Sequence, residues 1–138
     1  MPFDQTKNAS LLGVLRRSAS LQVQETLYAA DGYELHAHPD LVDRLKHLIN
    51  YAENASFQFA FGVPVLYAPN GLIFATVEGT SSLQLYLPGE HGWGRPYAEY
   101  GDSWRQGRAW AATAPHEEEV IASFVRLASS IVTAAGKH

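Results

Sequence analysis

From Ser56 to Pro88 the chain reads as one antiparallel meander, and few folds can absorb such a run. Phe57, Phe59 and Phe61 alternate with Ser56, Gln58 and Ala60 ahead of Gly62, and a period of two sends each set to one sheet face. VPVLYA and LIFATV flank Pro69-Asn70-Gly71, where Asn-Gly is a strong hairpin signal because both residues tolerate positive φ. Pro64 lacks an amide donor, so its strand is expected to start late or to lie at an edge. In SLQLYLP, Leu83, Leu85 and Leu87 share one face, with Ser82, Gln84 and Tyr86 on the other. About three or four strands are therefore expected here.

A sheet with an apolar face needs a cover, and two segments supply it. HPDLVDRLKHLINYA spaces Leu41, Val42, Leu45, Leu48, Ile49 and Ala52 as a helix would, with Asp43, Arg44, Lys46 and Asn50 on the far side. Asp40 is expected to cap this helix (about 40–52) and Pro39 to begin it. PHEEEVIASFVRLASSIVTAAG carries a stripe of Val120, Ile121, Phe124, Ala128, Ile131 and Val132. Glu117, Glu118 and Glu119 suit the positive end of its dipole as a solvated start, and Gly136 is the expected stop. That helix (about 115–135) spans roughly 30 Å, the width of a sheet. An α+β fold follows: a meander of about four to six strands with both helices packed on one face.

Elsewhere the signals are shorter. Leu11, Leu12, Val14 and Leu15, followed by Arg16 and Arg17, suggest a short helix or a buried turn. Residues 1–10 lack periodicity and are expected to fray. LQVQETLY and YELHAH flank Asp31-Gly32 as a hairpin, and RAWAATA reads as a last strand. With 138 residues and no repeat or linker, residues 1–138 are expected to form a single domain.

Composition narrows the function classes. The chain has no cysteine, which excludes a disulfide scaffold, a thiolate zinc site and a cysteine nucleophile. No apolar run approaches the length of a membrane span and Met1–Ser10 is polar, so no membrane partner and a cytoplasmic location are expected. A formal charge of −4 argues against nucleic acid.

Two constellations remain as candidate sites. The stretch from Gly89 to Arg108 is long for an unstructured loop, and such loops are often functional. It gathers Trp93, Tyr97, Tyr100 and Trp104 among Arg95, Arg105 and Arg108, a composition typical of binding hot spots. The plainer account is that these aromatics pack the loop onto the sheet. The second constellation is His36-Ala37-His38-Pro39-Asp40. Two histidines two apart on a strand face the same way and can clamp a metal ion, with Asp40, His47 or His91 as a third ligand. The plainer account is a solvent-facing strand followed by a helix cap. Gly79-Thr80-Ser81-Ser82 lacks a nucleophile elbow, and Gly92-Trp93-Gly94 lacks the lysine of a phosphate loop.

Residues 61–87 resemble the N-terminal domain of TfoX-like proteins and the related YjbR-like folds. The residues that carry the resemblance are Phe61-Gly62, Asn70-Gly71, Phe74-Ala75 and the run from Leu83 to Leu87. It implies an α+β fold with a bent antiparallel sheet and a nucleic-acid-associated role, and it brings no catalytic residue with it. The leading expectation is a non-enzymatic binding or regulatory module. Its 89–108 loop would engage a protein or small ligand, no cofactor is required, and a homodimer is compatible with an open sheet edge. The alternatives are a metal-dependent hydrolase or metal-binding protein built on His36 and His38, and the TfoX-like role.

Overall fold

A computed structural model describes residues 4–21, 28–30, 33–35, 38–60, 63–89, 91–111 and 116–135. Its elements in chain order begin with α1 (Ala9–Leu21), β1 (Tyr28–Ala30), β2 (Tyr33–Leu35) and α2 (Pro39–Leu48), the last prolonged by a 3-10 turn at Ile49–Tyr51. The strands β3 (Ser56–Ala60), β4 (Val63–Tyr67), β5 (Ile73–Glu78), β6 (Ser82–Tyr86), β7 (Arg95–Pro96) and β8 (Trp104–Arg108) follow, and α3 (Glu117–Ala135) ends the series. The fold is α+β. Strands β3 to β8 form one antiparallel sheet in the order β3-β4-β5-β6-β8-β7, and β1 and β2 pair as a separate hairpin. The turn of that hairpin, Asp31-Gly32, lies outside the described residues, as do Phe61-Gly62 and Gly136. Among the described residues no helix is long and apolar enough to cross a membrane.

Register assigns the two faces. Val77, Leu83, Ala75, Leu85 and Leu66 point to one side and are fully buried. Helices α2 and α3 pack there, through Leu41, Leu45 and Leu48 of α2 and Ile121, Val125, Ala128 and Val132 of α3. Burying such side chains stabilises by about 1.5–3 kcal/mol each. The other face carries Phe74, Thr76, Gln84, Tyr86 and Trp104, covered in part by α1 through Leu11. Val120 departs from the expected stripe: it is 39% exposed at the rim of α3.

Several local expectations change. Residues 4–10, expected to fray, are tied to the β4–β5 turn. The Asp4 amide donates to the Gly71 carbonyl (2.9 Å), and buried Asn8 donates to the carbonyls of Asp4 and Gly71 (both 2.7 Å) and accepts from the Ile73 amide (2.9 Å). Gly71 has φ +87° and a Cβ there would lie 2.8 Å from the Asp4 Cβ, so this junction requires glycine. The segment from Leu11 to Arg17 belongs to a helix of 13 residues. Pro64 begins neither a late nor an edge strand, since β4 is interior and starts at Val63. Its missing amide is tolerated because the ladder with β5 begins only at Val65 opposite Thr76.

The last strand among the described residues is Trp104–Arg108: it begins four residues ahead of RAWAATA and ends at Arg108, the first residue of that segment. The Ala109 amide still reaches the Ser81 carbonyl (2.8 Å), but its own carbonyl accepts from Arg44 Nε (2.8 Å) and Trp110 swings out to donate to the Thr80 carbonyl (3.0 Å). At α2, Pro39 begins the helix as expected, but the cap is His38. Its Nδ1 accepts from the Asp40 amide at 3.1 Å, while the Asp40 side chain stays in solvent.

Candidate functional site

The 89–108 segment is a folded sheet edge and turn, containing β7 and β8, and it wraps around the sheet so that its aromatics divide between the two faces. Trp93 falls on the helix face. Its ring lies over Gly107, where a Cβ would sit 2.4 Å from Cζ2, and stands 6.2 Å from the Phe124 ring of α3. Trp104 and Tyr100 fall on the opposite face. Both are buried, with edge-on contacts to each other (5.4 Å) and from Trp104 to Tyr86 (5.6 Å). Most of this aromatic surface is therefore packing.

The arginines fasten the same edge. Arg105 donates from Nε to the Trp93 carbonyl (2.5 Å) and from Nη2 to the Gly94 carbonyl (3.0 Å). Arg95 is exposed and grips Gln106 Oε1 with Nε (3.2 Å) and Nη2 (2.7 Å). Arg108 is exposed at the end of β8.

A polar network holds the turn that follows β7. Glu78 accepts from the hydroxyl of Tyr100 and from that of Tyr97 at 3.0 Å, and the Tyr97 hydroxyl also lies 2.9 Å from Glu99. Burial, then the Glu78 charge, pushes both phenols far above their ordinary value. They therefore remain donors rather than bases. Beneath them, buried Thr76 donates to Gln84 Oε1 at 3.3 Å, while Gln84 Nε2 has no partner among the described residues. A protonated phenol pair closed on one carboxylate positions a loop and offers no nucleophile.

The exposed chemistry gathers on the other side, at the start of α3. A cleft of about 280 Å³ is lined by Trp93, Arg108, Trp110, His116, Glu117, Val120 and Ile121. Two residues of the expected site, Trp93 and Arg108, meet here, while Arg95, Tyr97, Tyr100, Trp104 and Arg105 do not line it. Trp110, His116 and Val120 were missed by sequence reasoning. Trp110 sits in a segment that reads as strand, and Val120 falls on an apparently apolar stripe, so neither carries a local signal of exposure. Two larger hollows, of about 830 and 620 Å³, run along α3 beside Tyr51 and Arg126. Their walls are chiefly hydroxyl, amide and charged side chains, and they lack the tryptophans that make a cleft selective.

The back of the cleft is braced from α2. Arg44 donates to Glu118 through Nη1 (3.1 Å) and Nη2 (2.6 Å) and lies 5.7 Å from the Trp110 ring. Tyr51 also donates to Glu118 (2.5 Å). Glu118, expected as part of a solvated triplet, is instead the acceptor that locks α3 to α2.

Of the two candidate metal ligands, His36 lies outside the described residues, and His38 is engaged as the α2 cap. His47 stands beside Tyr51 and His91 beside the Pro88 carbonyl. Among the described residues no three His, Asp or Glu side chains gather as a metal-ligand set. Comparison of the chain with known protein families, curated proteins and solved structures finds no match.

Proposed function

We propose that the chain is a non-enzymatic binding module, and that its ligand-engaging surface is the cleft of Trp93 and Trp110 beside Val120. The observation that carries this reading is the meeting of two tryptophans with a half-exposed valine in a concavity of about 280 Å³. That is near the lower end of ligand pockets and suits one ring or one apolar side chain of a protein or small ligand. Arg108 and His116 among its walls favour a ligand with an anionic or acceptor group next to that ring. The stacked Arg44 and the Arg105 clamp hold both indoles in place in advance, which lowers the entropy lost on binding.

Titration with indole-3-acetate and with a short tryptophan-containing acidic peptide tests the reading through the three indole N–H resonances. Trp93 and Trp110 are expected to shift and saturate, while Trp104, on the opposite sheet face, stays still. Val120→Asp is expected to abolish the shifts without changing the melting temperature. No shift at millimolar probe, or equal shifts of all three indoles, would sink the proposal.

A further inference from the structure

We propose that β3 pairs antiparallel with β3 of a second copy of this chain, about a two-fold axis through Gln58, joining two sheets edge to edge. The strand order leaves β3 and β7 as the edges of the sheet. Edges are normally blunted by charge, proline, bulges or brevity. Strand β7 has most of these: it is two residues long, contains Pro96, and presents Arg95. Strand β3 has none. Ser56–Ala60 is uncharged and proline-free, pairs with β4 through all five residues without a register shift, and leaves Phe59 39% exposed.

The register with β4 decides which groups face outward. Phe59 lies opposite Pro64, which has no amide hydrogen, so that pair cannot be of the hydrogen-bonded kind. Bonded pairs therefore fall at Ser56, Gln58 and Ala60, and the amides and carbonyls of Phe57 and Phe59 point to the open edge. The sequence of the strand is self-complementary about its centre. With Gln58 opposite Gln58 of the second copy, Phe57 of each chain lies opposite Phe59 of the other. The outward amides and carbonyls then meet as two bonded pairs, and the phenylalanines abut on the same face.

Among the described residues no further backbone hydrogen bond occupies the outward groups of Phe57 and Phe59. Helix α2 packs against β4 and β5, Lys46 Nζ sits 5.3 Å from the Phe57 ring, and the Phe59 ring meets Phe57 edge-on at 5.2 Å. A two-fold pairing of identical strands is isologous, and the guarded β7 edge stops the assembly at two copies.

The absence of cysteine gives a clean test. Residues facing each other in a non-bonded antiparallel pair have Cα atoms roughly 4.5 Å apart, within disulfide reach. Under mild oxidation Gln58→Cys is expected to form a covalent dimer at least ten times faster than Ser123→Cys on exposed α3. Adding Phe59→Lys, which puts like charges across the axis, is expected to slow cross-linking to the Ser123→Cys rate. The unmodified chain is expected to shift in sedimentation from one mass toward twice that mass as concentration rises. A purely monomeric unmodified chain, or equal cross-linking from Gln58→Cys and Ser123→Cys, overturns the proposal, and the sedimentation arm depends on no variant folding.

Discussion

Arg44 of α2 and Glu118 of α3 form a two-pronged ion pair, 2.6 and 3.1 Å, beneath the rim of the tryptophan cleft. The Arg44 side chain is only 9% exposed and its third donor holds the Ala109 carbonyl. One guanidinium thus joins both helices to the end of β8. Removing it leaves a half-buried carboxylate and a carbonyl without their donors. Arg44→Ala is expected to cost about 2–3 kcal/mol in denaturant unfolding. Arg44→Lys should recover little of that, since a point charge cannot reproduce the fork. A loss below about 0.5 kcal/mol would show the pair to be incidental.

The same pair predicts an acid limb. The Arg44 hydrogen bonds, helped by the Tyr51 hydroxyl against the opposing effect of burial, hold the Glu118 carboxyl below its ordinary value of 4.5. The folded value lies under the unfolded one, so this contribution is present above about pH 4.5 and is lost as pH falls through the folded value. Glu118→Gln is expected to flatten stability against pH below 4.5 and leave its slope near neutrality unchanged. Equal acid slopes in the two proteins would remove Glu118 from the account.

At the alkaline end the tyrosines take over. Tyr97 and Tyr100 are raised by burial and then by Glu78, and Tyr51 by its hydrogen bond to Glu118. Their folded values exceed the unfolded value of 10, so stability is intact below pH 10 and declines as pH rises beyond it. Of the seven tyrosines, Tyr97 and Tyr100 are expected to give no phenolate absorbance until the chain unfolds, and Tyr51 to ionise above its ordinary value. Tyr100→Phe should reduce the delayed signal by one residue. Smooth ionisation of all seven near pH 10 would contradict the network.

Asn8 anchors the N-terminal segment with no exposed surface and three hydrogen bonds to backbone groups. Asn8→Ala removes the side-chain acceptor of the Ile73 amide and one of the two donors to the Gly71 carbonyl, which keeps the Asp4 amide. It is expected to cost about 2–4 kcal/mol, with faster hydrogen exchange at the Ile73 amide as the local marker. Unchanged exchange at Ile73 would argue that the segment is not held this way.

Gly107 is required by the indole above it. Gly107→Ala places a methyl 2.4–2.8 Å from three Trp93 ring atoms, so the ring must move. A red shift of tryptophan emission and loss of the Trp93 response to indole-3-acetate are expected. An unshifted spectrum would mean that the strand yields instead of the ring.

Periodicity made the meander, α2 and α3 legible, because alternation and helical spacing are written in neighbouring residues and need no knowledge of the partner. It also marked the β4–β5 turn, since Asn70-Gly71 suits positive φ wherever it occurs. Local pattern was blind to Arg44 and Glu118. Each looks like a solvent-side charge on its own helix, and only the crossing of α2 and α3 over the sheet brings them together. The same holds for the candidate site. The sequence concentrated four aromatics between residues 89 and 108, but the turn of the chain around the sheet edge buried Tyr100 and Trp104 on one face, left Tyr97 partly buried, and sent Trp93 alone to the cleft face. It was α3 and the residue that leads into it, more than twenty residues beyond Trp93, that placed Val120 and His116 beside that indole. Sequence by itself determined the meander from β3 to β6, the helices α2 and α3, and the absence of thiol chemistry. Tertiary structure decided which side chains stay in water, because burial depends on which surfaces meet.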